Sequence, residues 1–114
     1  MDAGEDGTWS AALAVPLGLI VGEAVTNALK HAFPEGREGR ILVELHAKGG
    51  GLMNLRVEDD GIGMPPERRQ GSLGLRLIEM FARQIKGEAA VEDGPDGTGT
   101  IVTVIFPDPN HVMS

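Results

Sequence analysis

Along residues 16–32 the apolar positions return at helical spacing. Leu17, Ile20, Val21, Ala24, Val25, Ala28, Leu29 and Ala32 cover an arc wider than a lone surface helix needs. The pattern predicts a helix opening on Pro16, where a missing N–H costs little, and stopping before Pro34. Opposite the arc, Glu23, Asn27, Lys30 and His31 fall at i, i+4, i+7 and i+8. A carboxylate, an amide, an ammonium and an imidazole thus share one stripe of the helix. Something polar must lie against that stripe, water being the simplest candidate.

The period then drops from 3.6 to two. "ILVELHA" (41–47) and "LMNLRVE" (52–58) read as strands joined by the tight "KGGG". In the second, Leu55 and Val57 alternate with Asn54, Arg56 and Glu58, which predicts a sheet covered on one face. Residues 59–72, "DDGIGMPPERRQGS", have no period and form a long loop. Ser72 can cap a second helix, in which Gly74, Leu77, Ile78, Phe81, Ala82 and Ile85 repeat at helical spacing before Gly87 ends it. "EAAVED" (88–93), the turn "GPDGTG" and "TIVTVIF" (100–106) make a second hairpin, closed by Pro107. Residues 1–8 read as a flexible lead and 108–114 as a tail, leaving one domain over 9–107. Two helices alternating with two strand pairs predict an α/β fold. It is a two-layer sandwich with both helices on one face of a mixed or mostly antiparallel sheet.

Composition narrows what such a domain does. A chain of 114 residues, 41% of them hydrophobic, supports one core. Cysteine is absent, which removes disulfides and thiolate chemistry and fits a reducing, cytoplasmic setting. No apolar run reaches the roughly 18 residues of a membrane span, and the acidic start is unlike a signal peptide. The formal net charge of −7, with 17 acids against ten Lys and Arg, argues against a nucleic-acid polymer as partner. A phosphate-bearing ligand must then be held by local devices: a metal ion, a helix N-terminus or a few placed bases.

Four stretches stand apart from scaffold: the polar stripe, "EDDGIGMP", "GSLGLRLI" and "GTGTIVTV". Taken singly, each has a plain structural use. Asp59, Gly61 and Gly63 suit a turn that ends a strand, and Gly71, Ser72, Leu73 and Gly74 suit a helix start. A helix N-terminus there also offers free N–H groups and a dipole favouring phosphate, which is the local device the acidic charge demands.

In this order the four stretches resemble the GHKL ATP-binding domain. More narrowly, "PLGLIVGEAVTNALKHAFPEG" is similar to the catalytic domain of sensor histidine kinases of the HWE-related subgroup. The resemblance runs from about residue 12 to residue 107 and implies a Bergerat-type fold that binds ATP with Mg²⁺. On that resemblance the Asn27 amide oxygen ligates the metal. Glu23 holds a metal-bound water or orients the reacting group, and Lys30 and His31 face the phosphates. Asp59 accepts a hydrogen bond from the adenine amine, Gly61 and Gly63 let backbone approach the base, Met64 walls it, and Thr100 reaches it through shared water. Gly71, Ser72, Leu73 and Gly74 cradle phosphate, with Ser72 standing where the commonest pattern has glycine. The lid between the glycine boxes is short, and Arg68 and Arg69 within it are either phosphate contacts or a solvated pair.

The resemblance further implies a partner domain carrying the phosphoacceptor histidine and, through it, a response regulator. His31, His46 and His111 sit in a binding helix, a strand and a tail, so the chain is expected to be a piece of a longer kinase or a stand-alone partner of one. Two other functions use the same residues: a serine kinase of the anti-sigma-factor type, and a non-catalytic module that senses ATP.

Overall fold

The computed structural model describes residues 9–29, 39–61, 73–94 and 99–109. They form helix α1 (Ala11–Asn27), strands β1 (Ile41–Gly49) and β2 (Leu52–Asp59), helix α2 (Leu73–Gln84) and strands β3 (Glu88–Asp93) and β4 (Thr100–Pro107). The sheet order is β1-β2-β4-β3. Of the two arrangements expected from sequence, mixed or mostly antiparallel, every pairing among the described strands is antiparallel. The chain leaves β2, crosses the sheet through α2 and returns as the β3–β4 hairpin, which puts β4 in the middle beside β2.

Period-two alternation settles which face the helices cover. Leu55 and Val57 of β2 and Val102, Val104 and Phe106 of β4 are buried, while the residues between them are half exposed. Leu13, Leu17, Ile20 and Ala24 of α1 and Leu75, Ile78 and Ala82 of α2 close over that face. Trp9 joins them, its ring edge-on to Phe106 at 5.8 Å between centroids.

Three local expectations change. α1 opens five residues before Pro16, which sits inside it. Proline in a helix interior costs about 3 kcal/mol. Extending the helix buries Leu13 on the Leu17–Ile20 stripe and packs the Pro16 ring as well, and one buried leucine recovers about 1.5–3 kcal/mol. Leu29, placed by sequence on the apolar arc, is 60% exposed, because it follows Thr26 by three residues and Gly22 by seven, both on the open side. On α2, Leu75 rather than Leu77 is buried, so the stripe runs Leu75, Ile78, Ala82, Ile85.

The end of α2 differs from expectation in mechanism. Gly87 N–H donates to the Ala82 carbonyl (2.8 Å) and Lys86 N–H to that of Arg83 (3.0 Å), the paired bonds of a Schellman cap. The left-handed residue is Lys86 (φ 60°), not the glycine. Gly87 is needed for space: a Cβ there would lie 2.8 Å from the Ile105 carbonyl and 2.9 Å from Phe106 Cβ. Lys86→Gly is therefore expected to stabilise the fold by about 1 kcal/mol, by relieving the left-handed cost. Gly87→Ala is expected to destabilise it, and urea denaturation of both variants measures the two signs.

Candidate functional site

β2 and β4 each finish or begin on a polar residue that continues an apolar row. Asp59 follows Leu55 and Val57, and Thr100 precedes Val102 and Val104, so both side chains point to the helix-covered face. They are direct partners across the strands and are the two buried polar residues among those described, 9% and 6% exposed. The Asp59 carboxylate accepts a hydrogen bond from Gly61 N–H at 2.9 Å. Burial raises its pKa above the usual carboxylate value, opposed by backbone hydrogen bonds from Gly61 and Thr100 and reinforced by the charges of Asp60 and Glu58.

The turn that follows is fixed by Gly99, a residue not singled out from the sequence although it stands in "GTGT". Its φ of +77° is the left-handed region, and a Cβ there would overlap the Asp59 carbonyl oxygen and stand 3.3 Å from Asp60 Cα. Gly99 N–H donates to the Gly61 carbonyl (2.9 Å), and its own carbonyl accepts from Gly94 N–H (3.2 Å). The start of β4 is thus pressed onto the end of β2, which holds Asp59 and Gly61 in place.

The second half of the site lies where α1 meets α2. Glu23 and Asn27, one turn apart on α1, are half-buried. A Cβ on Gly74, in the first turn of α2, would stand 2.7 Å from both Glu23 Oε1 and Asn27 Nδ2 and 3.0 Å from Asn27 Oδ1. A side chain at Gly74 would displace the ends of both side chains. Among the described residues neither side chain has a hydrogen-bond partner, so their oxygens are free to take an outside ligand.

Both halves occupy one end of the molecule. At the opposite end Ser10 and Leu13 of the α1 start, Ile85 and Lys86 after α2, and Pro107 of β4 line a common cavity. The three elements run between the two ends, which leaves Asn27, Gly74 and Thr100 together at the other. The structure therefore gathers Glu23, Asn27, Asp59, Gly61, Gly74 and Thr100, with Leu73 opening α2. Lys30, His31, Gly63, Met64, Gly71 and Ser72, with Arg68 and Arg69, lie outside the described residues.

The sequence profile of the histidine kinase-, DNA gyrase B- and HSP90-like ATPases matches residues 12–110. The chain belongs to this family. It is 36% identical over 94 residues to blue-light-activated histidine kinase 2 of Erythrobacter litoralis, covering 80% of this chain and 27% of that protein. The solved histidine kinase domain of an Erythrobacter litoralis blue-light-activated kinase superposes with a TM-score of 0.73 at 35% identity, over 84% of this chain and 48% of that one. An anti-sigma F factor of Priestia megaterium is 26% identical over 88 residues, covering 66% of this chain and 60% of that protein. The two-layer fold is accordingly that of the ATP-binding domains of histidine kinases, and the chain spans about a quarter of the length of the blue-light kinase it matches. Among the described residues no helix is long and apolar enough to cross a membrane.

The donor set fits Mg²⁺ with a phosphate chain. Mg²⁺ takes one or two protein oxygens and completes its shell with phosphate and water. Asn27 offers one amide oxygen and Glu23 a carboxylate one turn back.

The raised pKa of Asp59 makes stability of the nucleotide-free protein pH-dependent. A pKa higher in the folded than in the unfolded state contributes stability present in full below the unfolded value, about 3.9, and lost as pH rises through the folded value. Asp59→Asn keeps a side-chain oxygen for Gly61 N–H and removes the charge. Its stability relative to the wild type is expected to improve as pH is raised from about 4. Urea denaturation between pH 4 and 7 measures this, and a constant difference across that range contradicts the assignment.

Proposed function

We propose that this domain holds MgATP between the α1 stripe, the start of α2 and the Asp59–Thr100 pair, and presents its γ-phosphoryl group to a histidine on a separate phosphoacceptor domain. The observation that carries the reading is the approach of Gly74 to Glu23 and Asn27, which joins an oxygen donor set to the start of a helix beside a buried carboxylate. Asp59, acceptor-only when ionised, pairs with the exocyclic amine of adenine and opposes the carbonyl that guanine carries there. Gly61 lets the base approach the backbone, and Thr100 reaches it from the neighbouring strand. Asn27 is the metal ligand, and Glu23 fixes a metal-bound water or the incoming acceptor. When bound, Mg²⁺ supplies charge neutralisation at the phosphates. Lys30 and His31 are assigned to the phosphates, Gly63 and Met64 to the base, and Gly71, Ser72 and Leu73 to the phosphate cradle, on the sequence alone.

The protein's part in such a transfer is positioning. A response regulator would take the phosphoryl group from the acceptor histidine, and the reaction belongs in the cytoplasm, where ATP is supplied.

The likeness to an anti-sigma F factor, of which this chain covers 60%, favours a second reading: transfer to a serine of a partner protein. Incubation with radiolabelled ATP and a dimeric helical domain bearing the cognate histidine separates them. Acid-labile, base-stable phosphate on that histidine supports the first, and acid-stable phosphoserine on a partner supports the second. Binding without transfer to either leaves an ATP-sensing module.

Calorimetry tests the site itself. Asn27→Ala is expected to lose the Mg²⁺ dependence of ATP binding with the fold intact. Unchanged affinity and metal dependence would remove Asn27 from the site. ADP is expected to bind and GDP to bind poorly, with Asp59→Ala weakening ADP by about 1.5–3 kcal/mol, the worth of one charge-assisted hydrogen bond. Equal binding of ADP and GDP contradicts the role given to Asp59.

A further inference from the structure

The end of β2 is fastened on two sides, and one fastening is made by a side chain to which the nucleotide reading gives no part. Arg40 lies opposite Asp60, one step beyond the paired Ile41 and Asp59. Asp60 N–H donates to the Arg40 carbonyl (3.2 Å). In an antiparallel pair of this kind the Arg40 N–H would return to the Asp60 carbonyl. It goes instead to the Asp60 side chain, donating to Oδ1 at 2.7 Å. The carboxylate of Asp60 thus stands in for its own carbonyl, as a short acidic side chain can where a strand gives way to a turn.

That exchange shapes the turn. The β1–β2 ladder keeps its last rung while the main chain bends away at Gly61. The bend brings Gly61 N–H back to the Asp59 carboxylate (2.9 Å) and offers the Gly61 carbonyl to Gly99 N–H (2.9 Å). Residues 59–61 are therefore held between Arg40, just before β1, and Gly99, just before β4. Asp59 is buried and Asp60 exposed, so the two adjacent carboxylates act differently: one belongs to the pocket, and the other ties the turn to β1.

We propose that Asp60 is a positioning residue for the adenine half of the site: by holding Arg40 N–H it keeps the Asp59–Gly61 turn in the shape that aims the Asp59 carboxylate at the base, and so sharpens the choice of adenine over guanine. The proposal rests on the MgATP reading and adds to it a residue that does not touch the nucleotide. Without the clasp the strands still pair, but the turn takes several shapes, of which only some present the carboxylate to the exocyclic amine. Affinity falls in proportion to the competent fraction.

Calorimetric competition between ADP and GDP tests this. Asp60→Ala is expected to weaken ADP about tenfold and GDP much less, narrowing the preference, whereas a general loosening of the domain weakens both alike. Asp60→Asn keeps an oxygen for Arg40 N–H and is expected to recover most of the lost affinity. Arg40→Pro removes that N–H and Arg40→Ala keeps it, so the first is expected to bind ADP about tenfold more weakly than the second. Adding Asp60→Ala to Arg40→Pro is expected to weaken binding little further, since both break one contact. Without ligand, hydrogen exchange at the Gly61 amide is expected to quicken in Asp60→Ala and Arg40→Pro but not in Asp60→Asn, while the amides of Leu55 and Val104 stay protected. Thermal melts confirm folding, since both positions are exposed and lie outside the strands. An undiminished preference for ADP in Asp60→Ala overturns the proposal, as does full additivity with Arg40→Pro or a Gly61 amide that exchanges at the wild-type rate in Asp60→Ala. A wild type that binds neither nucleotide overturns the MgATP reading instead, and the Gly61 exchange then still decides whether Asp60 holds the turn.

Discussion

A carboxylate ends the apolar row of β2, and its burial sets conditions on much of the chain around it. An ionised oxygen at that depth needs donors, and the nearest are backbone N–H groups of Gly61 and Thr100. Gly61 lies two residues on in the same turn, whereas Thr100 is distant in sequence and arrives only because β4 pairs with β2. That pairing requires the chain to cross through α2 and double back through β3, which is also what lays α2 over the core beside α1. Gly99 completes the arrangement, since a side chain there would run into the Asp59 carbonyl. The topology and the site are thus two aspects of one requirement. The two backbone bonds do not fully offset the burial and the nearby charges of Asp60 and Glu58, so the carboxylate keeps a raised pKa.

The other half of the site answers a different constraint, the acidic balance of the chain. With a net charge of −7 the overall field disfavours phosphate, and the described residues bring no basic cluster to this end to reverse it. What they bring is the first turn of α2, where Gly74 lies close to the amide of Asn27 and the carboxylate of Glu23. Such devices act within a few ångströms, so the packing of α1 on α2 at Gly74 governs the binding chemistry as well as the core.

How much of this was legible in the sequence depended on whether the deciding contact was local. Strand positions followed from alternation, and the structure moves their ends by no more than two residues. Glu23, Asn27, Asp59, Gly61, Gly74 and Thr100 were all named from pattern and resemblance, because each occupies a fixed place in a short motif. The start of α1 was not legible: the local rule places Pro16 at a first turn, and burial of Leu13 in a core that includes Phe106 of β4, remote in sequence, overrides it. Gly87 was assigned to the right boundary for the wrong reason, since its clash partners lie on β4 and Lys86 takes the left-handed turn. Gly99 passed unnoticed because its role is exercised against Asp59, forty residues earlier, and nothing in "GTGT" itself reveals that contact.

The same comparison explains why α1 carries apolar residues on nearly every side. Its inner face builds the core, its stripe at Glu23 and Asn27 faces the candidate site, and its third face, with Val15 and Leu19, is exposed. A two-layer sandwich with two helices over four strands covers the middle of the sheet and leaves an edge. β3 tolerates exposure because Glu88, Glu92 and Asp93 keep it solvated and repel a like strand. β1 is built differently, with charges of both signs on one face and Val43 and Leu45 on the other.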